Sequence, residues 1–195
     1  MKRIAVFASG SGTNFQAIID AVQTGELKAE VALLVCDKAN ALAVERAKKN
    51  NIEVFQFIPK DYENKQAFER EILGKLTSLK VEWIALAGYM RLIGETLLKG
   101  YQGRIINIHP SLLPSFPGKD AIEQAYEANV KVTGVTIHFV DEGMDTGPII
   151  AQAPIFIKDN DTIEVVRTKI QAVEHKLYPQ VLGNIVNKRL VEREV

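Results

Sequence analysis

Apolar residues in this chain alternate between two rhythms. Ile4-Ala-Val-Phe-Ala8 is an unbroken apolar run, as in a strand buried on both faces, and Phe15, Ile18, Ile19 and Val22 then recur at helical spacing. The same alternation predicts strands at Val31 to Cys36, Val54 to Phe57, Trp83 to Ala87 and Arg104 to Ile108. Helices are predicted between them at Ala41 to Asn50, Asp61 to Leu79 and, briefly, after Gly94. Strands separated by helices argue for right-handed crossovers and a parallel sheet. After a helix over roughly Asp120 to Ala128 the rhythm changes. Thr133 to Val140 and Ile149 to Ile157 are two long strands whose connection, Asp141 to Pro148, is too short for a crossover helix, so they are expected to pair antiparallel. Thr162 to Asn187 is a long amphipathic helix, capped by Thr162 and expected to break near Pro179. The predicted fold is α/β. It is a Rossmann-like, open, mostly parallel twisted sheet with helices on both faces, a C-terminal antiparallel extension and a long C-terminal helix.

The most informative stretch is Ile105-Ile-Asn107-Ile-His109-Pro110. Side chains alternate along a strand, so Ile106 and Ile108 hold one face in the core while Asn107 and His109 share the other. Pro110 ends the strand, and Pro114 and Pro117 keep the next residues out of helix. A polar pair at the carboxyl end of a central strand lies where open α/β sheets bind ligands. A strand histidine is more often structural, but its company here favours catalysis.

Ser9-Gly-Ser-Gly12-Thr13-Asn14 joins the first strand to the first helix. Glycines there let the backbone approach a ligand, and the N-H groups of a helix start attract anions, so phosphate is the favoured ligand and a plain tight turn the alternative. A dinucleotide fingerprint is weaker, because Phe15 stands where a third small residue is needed; Asp37, after the second strand, is the one point in its favour. Gly88, Met90, Arg91, Leu92 and Ile93 follow the fourth strand and suit either a flat apolar ligand or closure of the core. Arg91 is read as carboxylate-binding or solvated. Of the acids in the Asp141-Glu142-Gly143-Met144-Asp145 turn, Asp145 is the one expected to be partly buried, where it would orient an imidazole. His138 is read as structural. Gln171, Glu174 and His175 are read as a solvated helix face.

Composition narrows the classes. Of 195 residues 47% are hydrophobic, enough for one ordinary core, and 24 basic residues balance 24 acidic ones, so no nucleic-acid surface is expected. The one cysteine, Cys36, lies in an apolar run and is read as a buried hydrophobe of a reducing, cytoplasmic compartment. The first apolar run is too short for a membrane span and is read as a strand rather than a signal.

Taken together, four segments resemble the folate-dependent formyltransferase family nearly end to end. They are Ser9-Gly-Ser-Gly-Thr-Asn14, Leu86-Ala-Gly-Tyr-Met-Arg91, Asn107-Ile-His-Pro-Ser-Leu-Leu-Pro114 and His138-Phe-Val-Asp-Glu-Gly-Met-Asp-Thr-Gly-Pro148. The resemblance is to the branch that formylates glycinamide ribonucleotide, with 10-formyltetrahydrofolate as co-substrate and no metal. It implies catalytic roles for Asn107, His109 and Asp145. It implies ribonucleotide contacts at Gly12, Thr13, Asn14, Pro110, Gln171 and Glu174. Folate contacts are implied at Lys65, Met90 to Ile93, Asn107 and Asp141 to Met144, and a cis bond before Pro114. One domain over 1–195 is expected, with a nucleotide- and phosphate-binding half to about residue 100 and a catalytic, folate-binding half from about 101. A monomer or homodimer is expected, with small molecules as partners and neither nucleic acid nor membrane. Hydrolysis of formyltetrahydrofolate is the nearest alternative, and a phosphate-binding protein without chemistry is another. Related hydrolases carry an N-terminal regulatory domain and related tRNA formylases a C-terminal RNA-binding one, so a first strand at residue 4 is taken to favour the transferase.

Overall fold

A computed structural model describes residues 1–187 of the chain. Seven strands form one sheet: β1 (Lys2–Ala8), β2 (Ala29–Cys36), β3 (Glu53–Gln56), β4 (Trp83–Leu86), β5 (Ile105–His109), β6 (Val132–Phe139) and β7 (Ile149–Phe156). Among the described residues six α-helices accompany them: α1 (Thr13–Gln23), α2 (Leu42–Lys49), α3 (Lys65–Ser78), α4 (Glu95–Gly100), α5 (Ala121–Glu127) and α6 (Ile163–Val186). The strand order is β3-β2-β1-β4-β5-β6-β7, parallel from β1 to β5 and antiparallel where β6 joins β5 and β7 joins β6. The parallel half is wound outward from β1 in one direction and from β4 in the other. The crevice at their carboxyl ends is therefore a topological switch point.

Alternation along the strands gives the sheet two dry faces. Ile4, Val6, Leu34, Ile106, Ile108, Val135 and Ile137 pack with Phe15 and Ile18 of α1 and Val166, Ile170 and Tyr178 of α6. On the opposite face Ala5, Phe7, Leu33, Val35, Ile84 and Ile105 meet Phe68, Ile72 and Leu76 of α3 and Leu97 of α4. Asn107 and His109 continue the second face beyond Ile105. Among the described residues no helix is long and apolar enough to cross a membrane.

One expectation fails. α6 runs unbroken through Pro179. Its apolar side is anchored on both flanks of that proline, by Ile170 and Tyr178 before it and by Val181 and Leu182 after it, all buried. Tyr178 also donates its hydroxyl to Leu86 O at 2.9 Å, with Ile106 O at 3.2 Å, which pins the helix to β4 and β5. Packing of this extent outweighs the roughly 3 kcal/mol that a proline costs a helix interior. At the other end Thr162 accepts from Val165 N–H, as its cap position predicts.

Candidate active site

The glycine loop is an amide cradle. Gly12 precedes α1 with φ 68° and ψ 34°, and a Cβ there would stand 2.8 Å from Ala43 Cβ, so only glycine fits. Among the described residues no acceptor meets the N–H groups of Ser11, Gly12, Thr13, Asn14 or Phe15. Five consecutive donors left free at a helix start are the arrangement that suits an anion. The loop is tied sideways to the segment after β4: Ser9 N–H donates to Gly88 O at 3.0 Å, and Met90 N–H donates to Ser9 Oγ at 2.9 Å.

That segment presents Met90 and Leu92 to solvent, 68% and 51% exposed. Ile93 instead lies in the core at 7%, so only its backbone can face a ligand. Arg91 turns its Nε–H to Asp37 Oδ2 at 2.7 Å. Asp37 is thus the anchor of Arg91, which replaces the dinucleotide role weighed for it. Gly94 N–H donates to Glu69 Oε1 at 2.6 Å, and burial raises the pKa of that carboxyl. Lys65, exposed at the start of α3, lies with its Cε over Gly94.

Asp145 gathers the second cluster. It adopts φ 56° and is nearly buried. His109 Nδ1 approaches its Oδ2 at 3.3 Å, and Gly118 N–H donates to the same oxygen at 2.8 Å. Asn107 Nδ2–H donates to Oδ1 at 3.3 Å, and His138 Nε2 is 3.5 Å from it. Burial pushes the Asp145 pKa up, but the His138 and Gly118 hydrogen bonds and the two imidazoles outweigh it, and the net result is below the ordinary carboxylate value. His109 is closed in on its other side, with Nε2 2.8 Å from Phe116 O. Both ring nitrogens face oxygen acceptors, an arrangement that the doubly protonated ring satisfies.

His138, read from the sequence as structural, lies within the cluster. It sits directly across the β5–β6 ladder from Asn107, with Nε2 3.2 Å from Asn107 Nδ2. Its Nδ1 meets Phe139 O at 2.7 Å and so carries a proton, which leaves Nε2 to accept from the amide when the ring is neutral. Antiparallel register produces this neighbour; the segment from His138 to Pro148 marks the family resemblance, but its spacing alone does not place the ring beside Asn107.

The proline loop fastens the cluster to the sheet. Thr136 Oγ accepts from Leu113 N–H at 3.0 Å and donates to Ser111 O at 2.7 Å; Gln152 Nε2 donates to Leu113 O at 2.9 Å. The Leu113–Pro114 bond is cis, as the resemblance implies. Met144 lies over Gly118, where a Cβ would meet its sulfur at 2.9 Å. Asp141, Glu142, Gly143 and Met144 are exposed, in a turn closed by Asp141 Oδ1, which accepts from Gly143 N–H at 3.1 Å and Thr146 Oγ–H at 2.7 Å.

Glu174 leaves its expected solvated face. It is buried on α6 and accepts from Asn14 Nδ2 at 3.2 Å, and burial raises its pKa to about 7 against that hydrogen bond. Pro110 is half-buried beside His109, whereas Gln171 is exposed on α6. The pieces brought together are the amide cradle with Glu174, the exposed apolar segment, and the Asn107–His109–His138–Asp145 cluster, all at the carboxyl ends of β1, β4 and β5.

The chain is similar to known proteins over most of its length. Residues 2–182 match the family described as formyl transferase. The phosphoribosylglycinamide formyltransferase of Bacillus subtilis (strain 168) is 57% identical over 186 residues, 95% of either chain. The crystal structure of glycinamide ribonucleotide transformylase 1 from Geobacillus kaustophilus superposes with a TM-score of 0.93 at 62% identity, covering 95% of this chain and 98% of that one. The trifunctional purine biosynthetic protein adenosine-3 of Drosophila melanogaster is 39% identical over 188 residues, 95% of this chain but 14% of that protein. With a match that spans nearly the whole sheet and every segment of the site, the chain belongs to the formyl transferase family.

Proposed function

We propose that this chain transfers the formyl group of 10-formyltetrahydrofolate to the amine of N1-(5-phospho-D-ribosyl)glycinamide, giving the N-formyl product and tetrahydrofolate, as a cytoplasmic step of purine (IMP) synthesis. The observation that carries the reading is the convergence of Asn107, His109, His138 and Gly118 N–H on the one Asp145 carboxylate, in the same crevice as an amide cradle suited to a phosphate. The names of the relatives supply the substrates.

On this reading the halves divide the work. The half to about residue 100 holds the ribonucleotide phosphate on Gly12, Thr13 and Asn14. The half from about 101 carries the chemistry and, with Lys65 and Met90 to Ile93, the folate; Asp141 to Met144 cover it. Glu174 and the Pro110 backbone receive the glycinamide end, with Gln171 at the rim. Glu174 suits the task because a carboxyl titrating near neutrality accepts from an amine without forcing it to stay protonated.

The amine nitrogen attacks the formyl carbon, forming a C–N bond and an oxyanion. Asn107 donates to that oxygen after releasing one of its N–H groups from His138 or Asp145, and the His109 imidazolium adds positive charge beside it. Loss of a donor of this kind costs on the order of a hundredfold or more in rate. The oxyanion then collapses, the bond to the folate nitrogen breaks, and a proton passes from the amine to the leaving nitrogen, with Asp145 assisting through water. Alignment of two substrates contributes roughly 7–11 kcal/mol in favourable cases.

The test is spectrophotometric release of the formyl group from 10-formyltetrahydrofolate with and without the ribonucleotide. Release that depends on the ribonucleotide supports the transferase. Release without it moves the assignment to hydrolysis, and none in either case, with the protein folded, leaves a binding protein.

A further inference from the structure

The carbonyls of the glycine loop are as firmly committed as its amides are free. Gly10 O accepts from Ala43 N–H at 3.2 Å, and Ser11 O accepts from Arg46 Nε–H at 2.9 Å; both donors belong to α2. In a trans peptide the C=O and the following N–H point to opposite sides. Drawing the 10–11 and 11–12 carbonyls toward α2 therefore turns the N–H groups of Ser11 and Gly12 away from it. There they continue the row formed by Thr13, Asn14 and Phe15.

Arg46 does more than hold one carbonyl. Its Nη1–H donates to Gln16 Oε1 at 3.1 Å, so one guanidinium spans the loop and the first turn of α1. A rigid planar fork suits such a two-point brace, and the charge it carries is permanent. That charge is felt across the groove: burial and then Arg46 hold the His175 pKa on α6 below its ordinary value. Packing reinforces the brace, because Ala43 fills the space that a side chain at position 12 would need.

We propose that Arg46 is a positioning residue of the phosphate cradle, aiming the Ser11 and Gly12 amides at the anion and placing a formal positive charge behind a site otherwise built of peptide groups. The inference rests on the reading of the glycine loop as the phosphate site. It predicts a defect confined to the phosphorylated end of one substrate.

The experiment compares wild type, Arg46→Gln and Arg46→Lys, each checked for folding by far-UV circular dichroism. Calorimetry gives the affinity for ribose 5-phosphate, and kinetics give kcat and KM for both substrates and for the dephosphorylated glycinamide riboside. Arg46→Gln is expected to weaken ribose 5-phosphate binding and raise the ribonucleotide KM by roughly tenfold to a hundredfold, the effect of losing a charge-assisted hydrogen bond. Its kcat, its formyl-folate KM and its kcat/KM for the riboside stay within about twofold of wild type, the surface-substitution range. Arg46→Lys, which keeps the charge but not the fork, recovers part of the loss. If wild type binds ribose 5-phosphate and Arg46→Gln binds it equally well, the role of Arg46 is refuted while the cradle stands. An equal loss on the riboside refutes it too, as a general structural effect. If wild type has no affinity for ribose 5-phosphate, the cradle reading falls and this inference with it.

Discussion

The glycine loop and the Asp145 cluster serve one crevice but are built on opposite principles. On the proposed reading the loop recognises its ligand with peptide groups. Five amides in a row do the work, and side chains matter chiefly by being absent, as at Gly12, or by holding the frame from behind, as at Ala43 and Arg46. The cluster uses side chains from two strands and the β6–β7 turn, with one backbone N–H from the proline loop, and its centre is a single carboxylate with four neighbours. A backbone site tolerates exchange of its side chains but not of its conformation. A side-chain site tolerates neither loss of a group nor a small displacement of it. Binding of the phosphate and catalysis at the formyl carbon should therefore break separately.

The largest separation is expected from Asp145→Asn. It keeps the shape and removes the charge that orients His109 and His138. Steady-state kinetics should show kcat reduced by about a hundredfold to ten-thousandfold, the range of acid–base and orienting groups, with ribose 5-phosphate affinity unchanged. A large loss of that affinity would mean that the two regions are not independent.

Glu174 is the titrating group of the loop region, and it gives the next effect. Burial raises its pKa from an ordinary 4.5 to about 7. Below about pH 4.5 the carboxyl is protonated folded or unfolded. Between there and pH 7 the unfolded chain releases the proton while the folded one keeps it, so stability falls across that window and levels off above it. The change amounts to about 3 kcal/mol for this group. Glu174→Gln should flatten that part of the pH profile in urea unfolding and be the more stable protein at pH 8, while raising the ribonucleotide KM. An unchanged profile would mean that Glu174 ionises freely in the folded state. Gly12→Ala comes after it: a left-handed conformation forced on alanine costs on the order of 1–3 kcal/mol. With the Ala43 contact added, it should lower the melting temperature and raise the ribonucleotide KM, leaving the kcat of the residual folded protein near wild type.

The same contrast explains what could be read from the chain. The glycine loop, Asn107 and His109 are local features: strand, turn and i, i+2 spacing fix them within short windows, and the structure has that turn and that strand. His138 and Asp37 depend on which strands become neighbours. His138 joins the site because β5 and β6 pair with Asn107 opposite it, and Asp37 meets Arg91 because the ends of β2 and β4 flank β1. Neither register nor strand order is written in any short window, and a histidine in an apolar strand looks the same whether its partner is core or carboxylate. Pro179 misled for the complementary reason. Its local cost is plain in the sequence, whereas the packing that outweighs it comes from Tyr178, Val181 and Leu182 meeting a distant sheet.

The smallest effect tests the seam between the regions. Asp37 is a buried carboxylate whose Oδ2 accepts from Arg91, and among the described residues its other oxygen has no partner. Asp37→Asn keeps an acceptor for the Nε–H but removes the charge, so Arg91 stays near its place and is held less firmly. The Ser9 ties to Gly88 and Met90 remain. Loss of an ion pair in which the arginine is partly exposed is worth about 1 kcal/mol or less, roughly fivefold at most. That loss should appear in the KM for 10-formyltetrahydrofolate, with kcat and the ribonucleotide KM unmoved. Asp37→Leu, which strands the guanidinium, should enlarge it. Equal KM values for folate in wild type and both variants would mean that Asp37 serves stability at the end of β2 alone, and that Ser9 is what holds the Met90–Ile93 segment to the glycine loop.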